Sequence, residues 1–284
     1  MPRRITLAID LGHHVLRAAQ VRHGRTCRVV STRFERMPDH HDREDAAAVG
    51  RCLAAAMTRA GMSLGPAVFA LDRSITSLKR IELPTVDPDE LPDMVGIAVE
   101  RDLPIDAEQA VIDFTVLERR EESTVVEAVA VPQREIDRIR GVAEAAGLSV
   151  ARVAPRCHGG LRLADPATPT LLVDVTGEGL ELVLAADGGI AWSRGVEIAG
   201  PDGGPPTAEQ LVPETRRSWI SYRLSSEEFQ SPRLLVLGGE RVEEAVAAVA
   251  EATGLEASRF TGDLRVQPET DMRGAWPLVG LLLP

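Results

Sequence analysis

Residues 5–19, Ile5-Thr6-Leu7-Ala8-Ile9-Asp10-Leu11-Gly12-His13-His14-Val15-Leu16-Arg17-Ala18-Ala19, decide the fold. An apolar run over 5–9 stops on Asp10 and Gly12, and a second run, Val15 to Val21, begins directly after the turn. A turn at His23-Gly24 then leads into a third run, Thr26 to Thr32. Short β-type runs joined by Gly turns read as an antiparallel meander. An Ala-rich helix is predicted from Arg43 to Ala60, closed by Gly61.

The pattern returns once. Thr170-Leu171-Leu172-Val173-Asp174 is again an apolar run ending in Asp. The turn Thr176-Gly177-Glu178-Gly179 follows, then Leu180 to Ala185, a turn at Asp187-Gly188-Gly189, and a strand from Ile190 to Arg194. Asp174 stands from Gly188 at the same sequence distance as Asp10 from Gly24. This is one strand–Asp–turn–strand–turn–strand unit used twice, once per lobe, and not a solenoid period. Between the copies, strands are predicted at Pro66–Leu71, Ser74–Leu83, Val111–Leu117, Thr124–Val131 and Ser149–Val153. Helices are predicted at Asp89–Asp102 and Arg134–Ala146. That ββαββαβ order suggests a small α+β insert. Later come a helix over about Ala208–Leu224, a strand Arg233–Leu237, Gly238-Gly239, and a helix from Glu240 to Thr253 closed by Gly254. The expected division is 1–63 for the first lobe, 64–155 for the insert and 156–284 for the second lobe.

Composition narrows the function. The chain has 284 residues, 44% hydrophobic and 26% charged, ordinary for a globular protein and enough for two lobes with cores. A net charge of −11 repels nucleic acid and anionic lipid, and 3% aromatic residues are too few for a base-stacking platform. Cys27, Cys52 and Cys157 are odd in number and lack metal-ligand spacing, which favours a reducing compartment. Met1-Pro2-Arg3-Arg4 runs straight into a strand, not into a signal-peptide core. No apolar run reaches the ~20 residues of a spanning helix, and Ala275–Pro284, broken by Pro277, reads as a core segment.

The bland reading wins at several tempting places. His13 and His14 are adjacent on a strand edge and point to opposite faces. Asp39-His40-His41-Asp42 lacks a second ligand group at a set spacing, so it reads as a solvated loop. Cys157-His158 reads as a buried thiol beside a histidine, Glu118–Glu122 as a solvated hairpin tip, and Trp219 with Tyr222 as core. There is no Gly-x-Ser-x-Gly, His-Glu-x-x-His or P-loop.

Asp10-Leu11-Gly12 could serve a nucleotide, because backbone N–H groups reach phosphate oxygens only where side chains are absent. Asp10 could hold Mg²⁺ through water, with Asp174 facing it from the other lobe. Thr176 and Gly177 would form a second loop, and Gly238-Gly239 before a helix admits an anion to the helix N-terminus.

Ile9-Asp10-Leu11-Gly12 with Val15-Leu16-Arg17-Ala18, Leu172-Val173-Asp174, and Leu235-Val236-Leu237-Gly238-Gly239 resemble the two phosphate motifs and the adenosine motif of actin-like ATPases. Within that superfamily the chain is similar to PilM, the type IV pilus assembly family. The stretches Lys79–Pro84, Glu100–Ile105, Val111–Phe114, Val131–Ile136 and Ala145–Leu148 extend the likeness through the insert. Glu214-Thr215-Arg216-Arg217-Ser218 with Tyr222-Arg223 resembles the family's second-lobe helix. The resemblance implies an α/β, two-lobed actin-like (RNase H-like) ATPase fold with a small α+β insert in the first lobe. It implies ATP and Mg²⁺ as cofactors, the metal on Asp10 and Asp174. Asp10, Gly12, Arg17, Asp174, Thr176, Gly177, Glu214, Arg217, Gly238 and Gly239 would hold the nucleotide. The implied partner is the N-terminal cytoplasmic tail of a PilN-like inner-membrane protein, lying between first lobe and insert. Other pilus or secretion components would join it, and no nucleic acid. The location would be cytoplasmic, at the inner face of the inner membrane through that partner. The cytoplasmic part of the type II secretion protein GspL is a related family.

The departures point away from catalysis. His13 and His14 stand where the family has small hydroxyl residues, Arg17 where it has Lys, and Gly177 falls one position late after Asp174-Val175-Thr176. The expectation is a docking scaffold with ATP binding weakened or lost and no catalytic residue. The alternative is an active actin-like ATPase or sugar-kinase relative. That reading needs a water-positioning acid beyond Asp10 and Asp174. An FtsA-like filament protein would need an amphipathic membrane helix, and none follows Leu283.

Overall fold

The first meander forms as read: β1 (Ile5–Leu11), β2 (Val15–Arg22) and β3 (Arg28–Arg36) pair antiparallel in sequence order. The structure is a computed structural model that describes residues 5–37, 42, 44–102, 107–198, 200–201, 204–225, 231–239, 241–262, 264–268 and 270–284. Asp39-His40-His41 lies outside the described residues. Helix α1 (Ala46–Arg59) starts later than predicted because Asp45 caps it, its carboxylate accepting the Ala48 N–H at 2.9 Å. Then follow β4 (Pro66–Leu71), β5 (Ser77–Leu83), α2 (Leu91–Asp102), β6 (Ala110–Arg119), β7 (Thr124–Pro132), α3 (Gln133–Ala145) and β8 (Ser149–Pro155).

The sheets divide this middle stretch differently from the sequence reading. β4 pairs parallel with β1, and β8 parallel with β4, so both belong to the first lobe's sheet, with α3 against its core. Only β5, β7 and β6 form the separate three-stranded sheet, with α2 packed on it through Leu91, Val95 and Val99. Strand order along the chain cannot reveal such pairings, since a parallel neighbour is reached only through a long crossover.

A short helix, α4 (Arg156–Leu161), leads to the second meander: β9 (Thr170–Asp174), β10 (Gly179–Ala186) and β11 (Gly189–Glu197). After α5 (Ala208–Ser225), β12 (Arg233–Leu237) joins β9 in parallel, and α6 (Val242–Thr253) and β13 (Ala257–Arg259) complete the five-stranded sheet. The chain then returns. β14 (Arg265–Val266) adds to β3, making the first sheet six-stranded, and α7 (Trp276–Leu281) packs against β1 and β2. The expected second-lobe boundary at 284 is therefore corrected: the last stretch belongs to the first lobe.

Strand alternation places the acids. Leu7, Ile9 and Leu11 face α1 and α3, while Ala8 faces α7, so Asp10 shares the α7 side. In β9, Leu171 and Val173 face α5 and α6, while Leu172 packs with Cys157 of α4, so Asp174 shares the α4 side. Both carboxylates thus point into the layer between the two sheets. That layer is made of α4 and α7, which cross so closely that a Cβ on Gly159 would overlap the Pro277 carbonyl, and one on Gly280 the Gly159 carbonyl. Trp219 and Tyr222 are core, as expected.

Candidate functional site

Register puts Arg17 directly opposite Asp10, and its Nη1 donates to Asp10 Oδ2 at 3.0 Å. The cation that organises the centre comes from elsewhere. Arg156, the first residue of α4, is wholly buried between the lobes. Its Nη1 donates to Asp10 Oδ2 at 3.1 Å, and its Nη2 donates to Asp72 Oδ2 at 2.9 Å and to Glu181 Oε1 at 2.8 Å. Its Nε lies 3.3 Å from Asp174 Oδ2, an ion-pair distance without hydrogen-bond alignment. A single guanidinium therefore joins the two motif aspartates, one from each lobe. Gly177 is needed for this, since a Cβ there would stand 2.5 Å from the Arg156 guanidinium nitrogens.

The phosphate turn is engaged in the same way. Glu178 reaches from the second lobe's loop into the first lobe's. Its Oε2 accepts the His13 N–H at 2.6 Å, and its Oε1 accepts those of His14 at 2.6 Å and Val15 at 2.7 Å. Charge-assisted bonds of this kind contribute about 1.5–3 kcal/mol each. Gly12 permits the approach, as a Cβ there would stand 2.8 Å from Glu178 Oε1. His13 and His14 stand where small hydroxyl residues are expected, yet their imidazoles do not fill this turn. Both side chains are exposed, and the group inside the turn is Glu178. At the third motif, the Gly238 carbonyl accepts the Gly274 N–H at 3.3 Å, and the same loop is held to β3 where Thr32 Oγ1 donates to the Asp271 carbonyl.

Electrostatics keep the centre tight. Burial works against charge on Arg156, but Glu181, Asp72, Asp174 and Asp10 outweigh it and hold the guanidinium well above its ordinary pKa. Burial would raise Asp72 too, yet Arg156 and the Ser74 N–H leave it below its usual value. Glu181 goes the other way: burial pushes it up to about 8 against the pull of Arg156, and its Oε2 has no partner among the described residues. Burial also raises the Cys157 thiol well above its ordinary value, which disfavours the reactive thiolate.

The predicted residues divide accordingly. Asp10, Gly12, Arg17, Asp174, Thr176, Gly177, Gly238 and Gly239 converge on the cleft between lobes. Thr176, Gly177 and Gly239 line a cavity of about 230 Å³ with Arg17 and the Asp271–Gly274 loop, while Asp10 and Gly12 line one of about 120 Å³. Glu214 and Arg217 line neither; on α5 they pair with each other, Arg217 Nη1 donating to Glu214 Oε1 at 2.6 Å. Arg156, Glu178, Glu181 and Asp72 were missed. Two had a legible signal: Glu178 is an acid inside a loop meant for anions, and Glu181 an acid in an otherwise apolar strand.

A nucleotide with its metal does not fit this arrangement. The N–H groups that would meet a phosphate are bonded to Glu178, and of the aspartates that would meet a cation Asp10 is hydrogen-bonded to Arg156 and Asp174 ion-paired with it. The two cavities are also smaller than the roughly 300–1,000 Å³ typical of pockets for organic ligands. Among the described residues no group of three or more His, Cys, Asp and Glu could hold a metal ion.

No protein-family model matches the sequence, and no curated protein matches it. Solved structures do. The chain superposes on the PilM-PilN type IV pilus biogenesis complex with a TM-score of 0.81 at 18% identity, over 99% of this chain and 97% of that one. It superposes on the cytoplasmic domain of EpsL, an inner-membrane component of the type II secretion system of Vibrio cholerae, with a TM-score of 0.59 at 15% identity, over 98% and 95%. A Bacteroides thetaiotaomicron protein of actin-like ATPase fold and unknown function gives a TM-score of 0.54 at 8% identity, over 99% and 96%. The chain therefore has the two-lobed actin-like fold.

Proposed function

We propose that this chain is a PilM-like scaffold that docks the N-terminal cytoplasmic tail of a PilN-like inner-membrane protein, with nucleotide binding weakened or lost. It would work at the cytoplasmic face of that membrane, within a type IV pilus or a related secretion machine. The observation that carries the reading is the cleft: Glu178 takes the N–H groups of the phosphate turn, and Arg156 takes Asp10 and Asp174. The end-to-end likeness to a structure solved with PilN supports the partner's kind. No helix among the described residues is long and apolar enough to cross a membrane, so attachment would run through the partner.

The tail would lie between the first lobe and the insert, adding apolar anchors to a preformed surface. Calorimetric titration of the full chain with the cytoplasmic peptide of the PilN-like protein from the same genome tests this. Saturable one-to-one binding is expected, equally strong with and without Mg-ATP. Absence of binding would sink the scaffold reading. Steady ATP hydrolysis abolished by Asp10→Ala would instead make the chain an active ATPase.

A further inference from the structure

We propose that this protein carries its own replacement for a bound nucleotide, with Glu178 standing in for a phosphate and Arg156 for the accompanying cation. The lobes are thereby held together as the resting state with no ligand. The inference rests on the geometry of the cleft and is independent of the partner.

The substitution is chemically matched on both sides. A phosphate-binding turn offers converging backbone N–H donors to an oxyanion, and the Glu178 carboxylate meets three of them within 2.7 Å. A divalent cation between two aspartates offsets their repulsion, and a delocalised guanidinium with several N–H donors does the same. Arg156 sits between Asp10 and Asp174, which belong to different lobes.

Supporting ties are built around the pair. The Arg73 N–H donates to Glu181 Oε1 at 2.8 Å and its Nε to Ser193 Oγ at 2.8 Å, joining the β4–β5 turn to β10 and β11. Gly195 lies so close to that turn that a Cβ would stand 2.5 Å from the Ser74 nitrogen. An external nucleotide would have to displace both internal charges at once.

Amide hydrogen exchange on the full chain, with Glu178→Ala and Glu178→Gln beside the wild type, tests the proposal. In ligand-free wild type the His13, His14 and Val15 amides are expected to exchange slowly, and neither Mg-ATP nor pyrophosphate should move the melting temperature. In Glu178→Ala those three amides should exchange about tenfold faster or more, while the β1 and β2 core amides stay protected. Pyrophosphate should then slow the three amides again and raise the melting temperature. Fast exchange in the wild type, or unchanged exchange in the variant, overturns the proposal. So does a Mg-ATP stabilisation of the wild type that Asp10→Asn removes. Should the Ala variant fail to fold, Glu178→Gln decides: faster exchange at the three amides supports the plug, and unchanged exchange refutes it. Tail-peptide binding is a separate readout and can survive or fail on its own.

Discussion

Glu181 is the residue whose protonation should be felt in solution. It is buried between Arg73, Arg156 and Asp174, and three of the four acids around Arg156 are aspartates that compete for the same guanidinium. Its pKa rises from 4.5 to about 8 on folding, because burial disfavours a further negative charge there. The folded state therefore binds this proton more tightly than the unfolded state. The resulting stabilisation is complete below about 4.5 and is lost as pH rises through about 8. Asp72 works oppositely: its lowered pKa stabilises above its ordinary 3.8 and is lost in more acid solution. Unfolding free energies from urea titrations at pH 5 to 9 should fall on the alkaline side by on the order of 1–4 kcal/mol. Glu181→Gln, which keeps an acceptor for the Arg73 and Arg156 donors but no charge, should flatten that slope. Identical slopes in the two proteins would mean that Glu181 is already ionised in the folded state.

At the scale of elements, the critical piece is α4, because it carries Arg156 and owes its position to the crossing with α7. A methyl group on Gly159 has nowhere to go, the Pro277 carbonyl already occupying its place. Gly159→Ala should destabilise the protein by about 1–3 kcal/mol through overpacking, read as a shift in denaturation midpoint at constant slope. It should also loosen Arg156 and speed exchange at the Thr176 amide, which donates to Asp174 Oδ1 at 2.7 Å. A neutral Gly159→Ala would show that α4 can slide without penalty. The elements themselves were largely legible: both meanders and most helices follow from local alternation, turn glycines and caps. The α4–α7 crossing was not, since residues 159 and 280 meet only after the chain has built a whole lobe and returned. Arg156 hides for the same reason. It finds Asp10 146 positions away and Asp72 84 away, and its own neighbourhood drew attention to Cys157-His158 instead. His158 pairs with Glu127 of the insert, its Nε2 2.6 Å from Glu127 Oε1, so that neighbourhood is structural too.

For the whole molecule the question is whether two lobes behave as two bodies. The chain passes from the first sheet through α4 to the second, then comes back through β14 and α7, so the first lobe is built from two separate segments that enclose the second in sequence. α4 and α7 are packed between the sheets, Cys157 of α4 in the core of the second and Leu278 of α7 in the core of the first. Arg156, Glu178 and Arg73 then bridge the lobes with charge-assisted bonds that only the assembled molecule can satisfy. Separating the lobes would part Arg156 from either Asp10 and Asp72 of the first lobe or Asp174 and Glu181 of the second. Breaking a buried pair in this way costs about 3–5 kcal/mol. Scanning calorimetry should therefore show one transition for the wild type, with calorimetric and van't Hoff enthalpies in agreement. Arg156→Met, similar in length but uncharged, should lower the melting temperature and split the transition, because it removes the central tie while leaving both apolar cores intact. Two transitions in the wild type would show that the sheets unfold independently and that the charged layer between them contributes little to holding the lobes together.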